Sequence, residues 1–149
     1  MPQLAFNSPI GPLTLSEEDG VIVSLDWGWP PDSEETPLLL KARDQLEEYF
    51  DGKRQVFDLP LAPFGTAFQK RVWQALAAIP FGATRSYGAL AAELGTSARA
   101  LGTACGRNPI PVIIPCHRVL AGNGGLGGYS GMDGVETKQS LLRLEGVTT

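Results

Sequence analysis

The chain carries two cysteines and one histidine, and Cys116 and His117 are adjacent. They lie in the run Pro111-Val112-Ile113-Ile114-Pro115-Cys116-His117-Arg118-Val119, between prolines and aliphatics. A thiol is a nucleophile only as its thiolate, and an imidazole is the side chain best suited to take its proton near neutral pH. Neighbours in sequence rarely face each other, so coupling between them requires a bridging water or a turn. Taken alone, the dipeptide reads as a buried structural cysteine beside a surface histidine. The rest of the chain changes that reading.

The chain has 149 residues, enough for one domain or two small ones, and a hydrophobic content of 43% supports a real core. No stretch approaches the roughly 20 apolar residues of a membrane span, so no membrane association is expected. No basic segment followed by an apolar run opens the chain, so no secretory signal is read. Two cysteines cannot make a disulfide scaffold, and a reducing, cytoplasmic setting is the default. Two cysteines eleven residues apart and one histidine do not make a zinc site. No metal and no cofactor are expected.

The net charge of −4 conceals an asymmetry. Residues 1–63 hold twelve acidic residues against four basic ones, and residues 64–149 hold eight basic against four acidic. Only the second half could attract a polyanion, and an excess of four positive charges is modest.

The elements that must position the Cys-His pair are well punctuated. Leu4, Phe6, Leu13 and Leu15 alternate with polar residues around a Ser8-to-Pro12 turn, and Val21 to Trp27 alternates again after Asp19-Gly20. This predicts an antiparallel meander. Trp29 to Thr36 reads as a polar loop, followed by a helix from Leu38 to Phe50 with Pro37 in its first turn and Asp51-Gly52 at its end. Residues 53–63 read as extended, with Pro60 and Pro63 marking a linker. A small α+β domain over 1–63 and a second domain over 64–149 follow.

In the second half, Thr66 and Gln69 form a capping box for a helix from Ala67 to Ile79 that ends at Pro80. Its apolar face is read as Phe68, Val72, Ala75, Leu76 and Ile79. Ser86 caps a short helix from Tyr87 to Leu94, stopped by Gly95, and Thr96 or Ser97 caps the next, Ala98 to about Gly106. Two short helices across a glycine turn suggest a helix-turn-helix. Gly102 inside the second costs about 1 kcal/mol relative to alanine. A close backbone approach or tight packing on another helix would each explain it. Gly122, Gly124 and Gly127 match G-x-G-x-x-G, but no strand-to-helix context surrounds them, so a dinucleotide site is rejected. Asn123-Gly124 suits a hairpin turn instead, the wing of a winged helix. A final helix runs from about Val135 to Glu145, before Gly146.

In order along the chain come Phe81-Gly82, Ser86-Tyr87-Gly88, Ser97-Ala98-Arg99-Ala100-Leu101-Gly102, Arg107-Asn108-Pro109, Ile114-Pro115-Cys116-His117-Arg118-Val119, Gly128-Tyr129-Ser130-Gly131, and Leu141-Leu142 before Glu145-Gly146. With these motifs the chain resembles the O6-alkylguanine-DNA alkyltransferases, the methylated-DNA–protein-cysteine methyltransferases. The resemblance is dense over 65–146 and loose over the N-terminal part. It implies an α+β fold: a small antiparallel sheet with a helix, then a mostly helical winged helix-turn-helix domain.

It further implies repair of O6-alkylguanine, and of O4-alkylthymine, in double-stranded DNA by irreversible transfer of the alkyl group to a cysteine, one turnover per monomeric molecule. Cys116 matches the acceptor, His117 the water-linked base and Glu145 the carboxylate that orients the imidazole. Asn108 matches the side chain that orders the loop around the site. The resemblance places the helix-turn-helix in the minor groove, where the small residues around Gly102 suit a close approach and Ser86 contacts phosphate. The base must be flipped out of the stack. Arg99 matches the arginine that fills the gap, and Tyr87 the aromatic that rotates the 3′ phosphate and donates to guanine N3. Ser130 matches the residue that hydrogen-bonds O6. The carbonyls of Cys116 and Val119 match acceptors for the exocyclic amine, and Pro111 and Tyr129 the walls of the alkyl pocket. The stretch from Ser130 to Lys138 is longer and less basic than the family pattern.

Each residue also has a plainer reading. Arg99 suits an exposed helix arginine, Tyr87 a core position with its hydroxyl at the rim, and Glu145 a charge at a helix C-terminus, where the dipole disfavours it. Cys105 reads as a small packing residue. Two other functions compete: a non-catalytic protein that binds alkyl lesions, against which Cys116 argues, and a winged-helix transcription factor, which leaves the Cys-His pair unexplained.

Overall fold

The computed structural model describes residues 1–121 and 134–147. The expected wing hairpin at Asn123-Gly124, and with it Tyr129 and Ser130, lies outside them. The chain forms two compact units, Met1–Phe64 and Gly65–Thr149. No helix among the described residues is long and apolar enough to cross a membrane.

In the first unit, strands β1 (Gln3–Ser8), β2 (Gly11–Glu18) and β3 (Val21–Trp27) form an antiparallel sheet in that order. The register sets Leu4 opposite Leu15 and Phe6 opposite Leu13, so the apolar positions of the alternating pattern share a face. Helix α1 (Pro37–Phe50) packs against the sheet through Leu39, Ala42, Leu46 and Tyr49. Thr36 caps it by accepting from Leu39 N at 3.0 Å.

One local expectation needs correction. The alternation is not apolar-in, polar-out on β2, because Thr14 and Ser16 are buried too. Thr14 Oγ1 donates to the Gly28 carbonyl at 2.7 Å, and Ser16 Oγ accepts from Gln3 Nε2 at 3.0 Å, so neither hydroxyl is buried unsatisfied. The segment around Pro60 is tied to the first unit by backbone and side-chain hydrogen bonds. Ile22 N donates to Pro60 O and Ala62 N to Ile22 O, both at 2.9 Å, and the Gln45 carboxamide grips both backbone groups of Asp58.

In the second unit, helix α2 (Ala67–Ala77) begins at the predicted reciprocal capping box of Thr66 and Gln69 and stops one turn before Pro80. Its buried face includes Trp73, whose indole donates to the Ala104 carbonyl at 2.9 Å; Phe68 and Ala75 are only half-buried. Strand β4 (Arg85–Ser86) leads into α3 (Tyr87–Leu94), capped by Ser86 and closed by Gly95 at φ 70°. Ser97 then caps α4 (Ala98–Gly106), which packs on α3 and α2. A 3₁₀ turn (Cys116–Arg118) leads into β5 (Val119–Leu120), which pairs in parallel with β4. The last element is α5 (Val135–Leu144), which packs on that turn.

Candidate active site

The site is built from the segment between α4 and β5, in which residues 110–119 are all buried. Asn108 holds it at both ends: its Nδ2 donates to the Ile114 carbonyl at 2.8 Å and its Oδ1 accepts from Ile110 N at 3.0 Å. Between those anchors, Ile113 N donates to Pro111 O around Val112, which sits at φ 72°. A β-branched residue at positive φ in so tight a turn is strained by about 1–3 kcal/mol. Pro115, at φ −83° and ψ 69°, centres a second three-residue turn that closes Cys116 N on Ile114 O. The prolines and the asparagine thus bend the chain into the 3₁₀ turn.

A 3₁₀ turn has three residues per revolution, so consecutive side chains diverge by about 120° while positions i and i+3 align. Val119 follows in extended backbone, Cys116 takes one direction from the turn, and His117 and Arg118 leave in others. Both of the latter reach Glu145, at the C-terminal end of α5. His117 Nε2 lies 2.7 Å from Glu145 Oε2. Arg118 donates to both carboxylate oxygens, at 2.8 and 2.9 Å, and to the Ile79 carbonyl at 2.6 Å. Its guanidinium carbon stands 5.9 Å from the Phe81 ring centre. Gly82 closes this corner at φ 82°, with its N–H 3.4 Å from Glu145 Oε1.

Glu145 Oε1 and Oε2 both accept from Arg118, so the imidazole contact is one in which Nε2 donates. That tautomer leaves the lone pair on Nδ1. Nδ1 is buried and has no hydrogen-bond partner among the described residues. Burial pushes the His117 pKa down, opposed by the Glu145 contact and reinforced by the Arg118 and Lys138 charges. His117 is therefore a neutral, fully buried imidazole whose acceptor nitrogen is unused, and not the surface histidine of the plainer reading.

Parallel pairing of β4 with β5 sets Arg85 beside Val119 and Ser86 beside Leu120. It delivers the start of α3, and so Tyr87, beside the end of the turn that carries Cys116. The Tyr87 pKa is pushed up to about 12 by burial and then by Cys105 and Cys116, so its hydroxyl remains a donor. Cys105 is likewise pushed up to about 12, by burial first and Cys116 second. It stays a thiol, in keeping with a packing residue. Lys138, from α5, is wholly buried and donates to the Val119 carbonyl at 2.7 Å.

Cys116, His117, Glu145, Asn108, Pro111 and Val119 thus belong to one buried assembly, with Tyr87 half-buried at its side. Arg99 does not join it: it is exposed on α4 beside an open groove formed with Thr66, Phe68, Gln69, Ser97 and Thr103. Ser86 Oγ accepts from Ala89 N at 3.0 Å, which leaves its hydroxyl hydrogen for another acceptor. Gly102 resolves one of the two open explanations. A Cβ built there would meet only the Tyr87 ring, at 4.0 Å, so helix packing does not require a glycine.

Residues 67–147 match the family model for the DNA-binding domain of 6-O-methylguanine DNA methyltransferase, and residues 4–63 match the model for its ribonuclease-like domain. The chain belongs to this family. A methylated-DNA–protein-cysteine methyltransferase from Methanosarcina acetivorans is 47% identical over 151 residues, covering 95% of this chain and 96% of the relative. The constitutive one from Bacillus subtilis is 43% identical over 154 residues, covering 95% and 93%. The crystal structure of Mycobacterium tuberculosis OGT in complex with DNA superposes with a TM-score of 0.88 at 43% identity, over 97% of this chain and 92% of that one. The expected fold class, a small antiparallel sheet with a helix followed by a mostly helical unit, is that of the family.

Sequence reasoning missed two participants, Arg118 and Lys138. Arginine and lysine are presumed exposed unless paired, and Arg118 was seen only as part of the motif. One signal was available: Lys138 lies seven residues before Glu145, on the same helical stripe as Leu141 and Leu142, which reads as an inward face.

Proposed function

We propose that this protein repairs DNA by direct reversal, taking the alkyl group of O6-alkylguanine, or of O4-alkylthymine, onto Cys116. The observation that carries this reading is the buried His117–Glu145 pair, whose unused Nδ1 belongs to the residue next to the thiol. The Cys116 proton passes to Nδ1 through one bridging water, because adjacent side chains on a 3₁₀ turn diverge. The thiolate attacks the alkyl carbon in line, the S–C bond forms and the C–O6 bond breaks. Its electron pair goes to the guanine, whose charge the proton held by His117 balances. Glu145 orients the imidazole and Arg118 holds Glu145. The thioether has no ready leaving group, so each molecule acts once.

The names of the relatives, and the DNA complex of the Mycobacterium tuberculosis structure, support DNA as the partner. Acting as a monomer in the cytoplasm, the second unit engages the minor groove of the duplex with α3 and α4. Gly102 allows the close approach, Ser86 meets a phosphate, and Arg99 fills the space of a flipped nucleotide. Tyr87 donates to the base, the carbonyls of Cys116 and Val119 accept its amine, and Pro111, Tyr129 and Ser130 complete the pocket. Intact-protein mass after mixing with an O6-methylguanine oligonucleotide tests the reading. One added methylene localised to Cys116 is expected. Lesion binding without any mass gain would favour a non-catalytic binder.

A further inference from the structure

Lys138 projects from α5 into the fully buried space beside the 3₁₀ turn. Its Nζ donates to the Val119 carbonyl at 2.7 Å and stands 5.4 Å from the centre of the Tyr87 ring. Val119 directly follows the three-residue turn that begins with Cys116. The ammonium is therefore fixed at two points on the rim of the site that holds the sulfur. Burying a lysine this completely is unfavourable unless its charge is compensated.

We propose that Lys138 supplies the positive counter-charge of the Cys116 thiolate, with the Val119 carbonyl and the Tyr87 ring holding its ammonium in place. This rests on the reading of Cys116 as the alkyl acceptor. Among the described residues, titratable groups facing Lys138 include Tyr87 from α3, Cys105 from α4, and Cys116 and His117 from the turn. Burial pulls the Lys138 pKa down, while Cys116 and then Cys105 push it up. Tyr87 and Cys105 both sit at about 12 and remain neutral, His117 is neutral until it takes the Cys116 proton, and Arg118 is committed to Glu145. The anionic charge that forms on Cys116 thus faces a lysine that is already charged, while the imidazolium formed with it lies across the bridging water. Lys138 keeps its proton throughout: the Cys116 proton goes to His117, and Lys138 acts on the sulfur through its charge. When the alkyl group arrives, the sulfur becomes neutral and Lys138 loses that partner while still buried.

The test is the pH dependence of Cys116 carbamidomethylation by iodoacetamide, with the label localised by peptide mass, in wild type, Lys138→Gln and Lys138→Arg. Lys138→Gln is expected to raise the midpoint by about one pH unit, slowing labelling at pH 7 about tenfold while the high-pH plateau is retained. Lys138→Arg is expected to restore most of the rate. A lower plateau with an unchanged midpoint would mean that Lys138 only supports the fold, and would overturn the proposal. Should Lys138→Gln fail to fold, the wild-type protein decides by NMR titration of the Lys138 side chain before and after methylation of Cys116. A lower Lys138 midpoint after methylation is expected, and an unchanged one refutes the idea. Alkyl transfer by the wild type is followed alongside. Its absence would sink the proposed function, whereas the thiol titration judges Lys138 by itself.

Discussion

Glu145 Oε2 lies 2.7 Å from His117 Nε2, and this contact determines which imidazole nitrogen can act as a base. Because Nε2 donates to the carboxylate, Nδ1 carries the lone pair. Glu145 can impose that tautomer because Arg118 grips both of its oxygens, leaving it no freedom to turn.

Removing Arg118 should therefore reach the chemistry through Glu145. Arg118→Ala leaves the buried carboxylate without its bidentate partner, and breaking such a pair costs about 3–5 kcal/mol. Urea denaturation should show that loss. Alkyl transfer by the remaining folded protein should slow as well. Wild-type stability in Arg118→Ala would contradict the geometry.

His117 makes stability depend on pH. Its folded pKa is depressed below the ordinary value of about 6.5, so below that pH the unfolded chain binds a proton that the folded one resists. Stability is fully present above pH 6.5 and should fall as the pH drops from there toward the folded pKa. His117→Gln should remove this part of the slope. Denaturation midpoints between pH 7.5 and 5 would show it, and parallel curves for the two proteins would count against the assignment.

Gly102→Ala separates fold from function. The added methyl meets only the Tyr87 ring at 4.0 Å, and alanine in a helix is favoured over glycine by about 1 kcal/mol. The variant should melt higher yet bind duplex DNA more weakly, by fluorescence anisotropy. Unchanged DNA affinity would remove the case for a close backbone approach at this helix.

Arg99→Ala should impair repair of duplex DNA more than reaction with O6-benzylguanine base, since a base outside DNA needs no flipping. Arg99 is exposed on α4 and does not belong to the buried assembly around Cys116. Equal losses on the two substrates would place its effect in folding or in the pocket.

Alkylation should lower the melting temperature, more for benzyl than for methyl. Cys116 is buried in a segment anchored by Asn108, and inserting extra atoms into such packing costs about 1–3 kcal/mol. The strain already present at Val112 leaves that segment little room to yield. Scanning calorimetry of the unmodified, methylated and benzylated protein would settle the order, and a raised midpoint in both adducts would refute it.

The sequence by itself determined the local features. Thr66, Ser86 and Ser97 announce helix starts because a side-chain oxygen beside the first turn satisfies a nearby backbone N–H, an interaction spanning three residues. Leu4, Phe6, Leu13 and Leu15 announce the meander by their period of two. The Cys-His pair and Asn108 lie within ten residues of one another, so their motif is legible without a fold. Only the tertiary structure decided what meets across long separations. The β4–β5 pair is two residues long, too short for any periodicity, yet it brings Tyr87 beside the turn that carries Cys116. Trp73 joins the core because α4 offers its indole a carbonyl acceptor, which the apolar pattern of α2 cannot foretell. The burial of Arg118 and Lys138 runs against the preference of charged side chains for water. It is tolerated because Glu145, Ile79 and Val119 place acceptors around them, and those acceptors are assembled only when α5 folds back onto the turn.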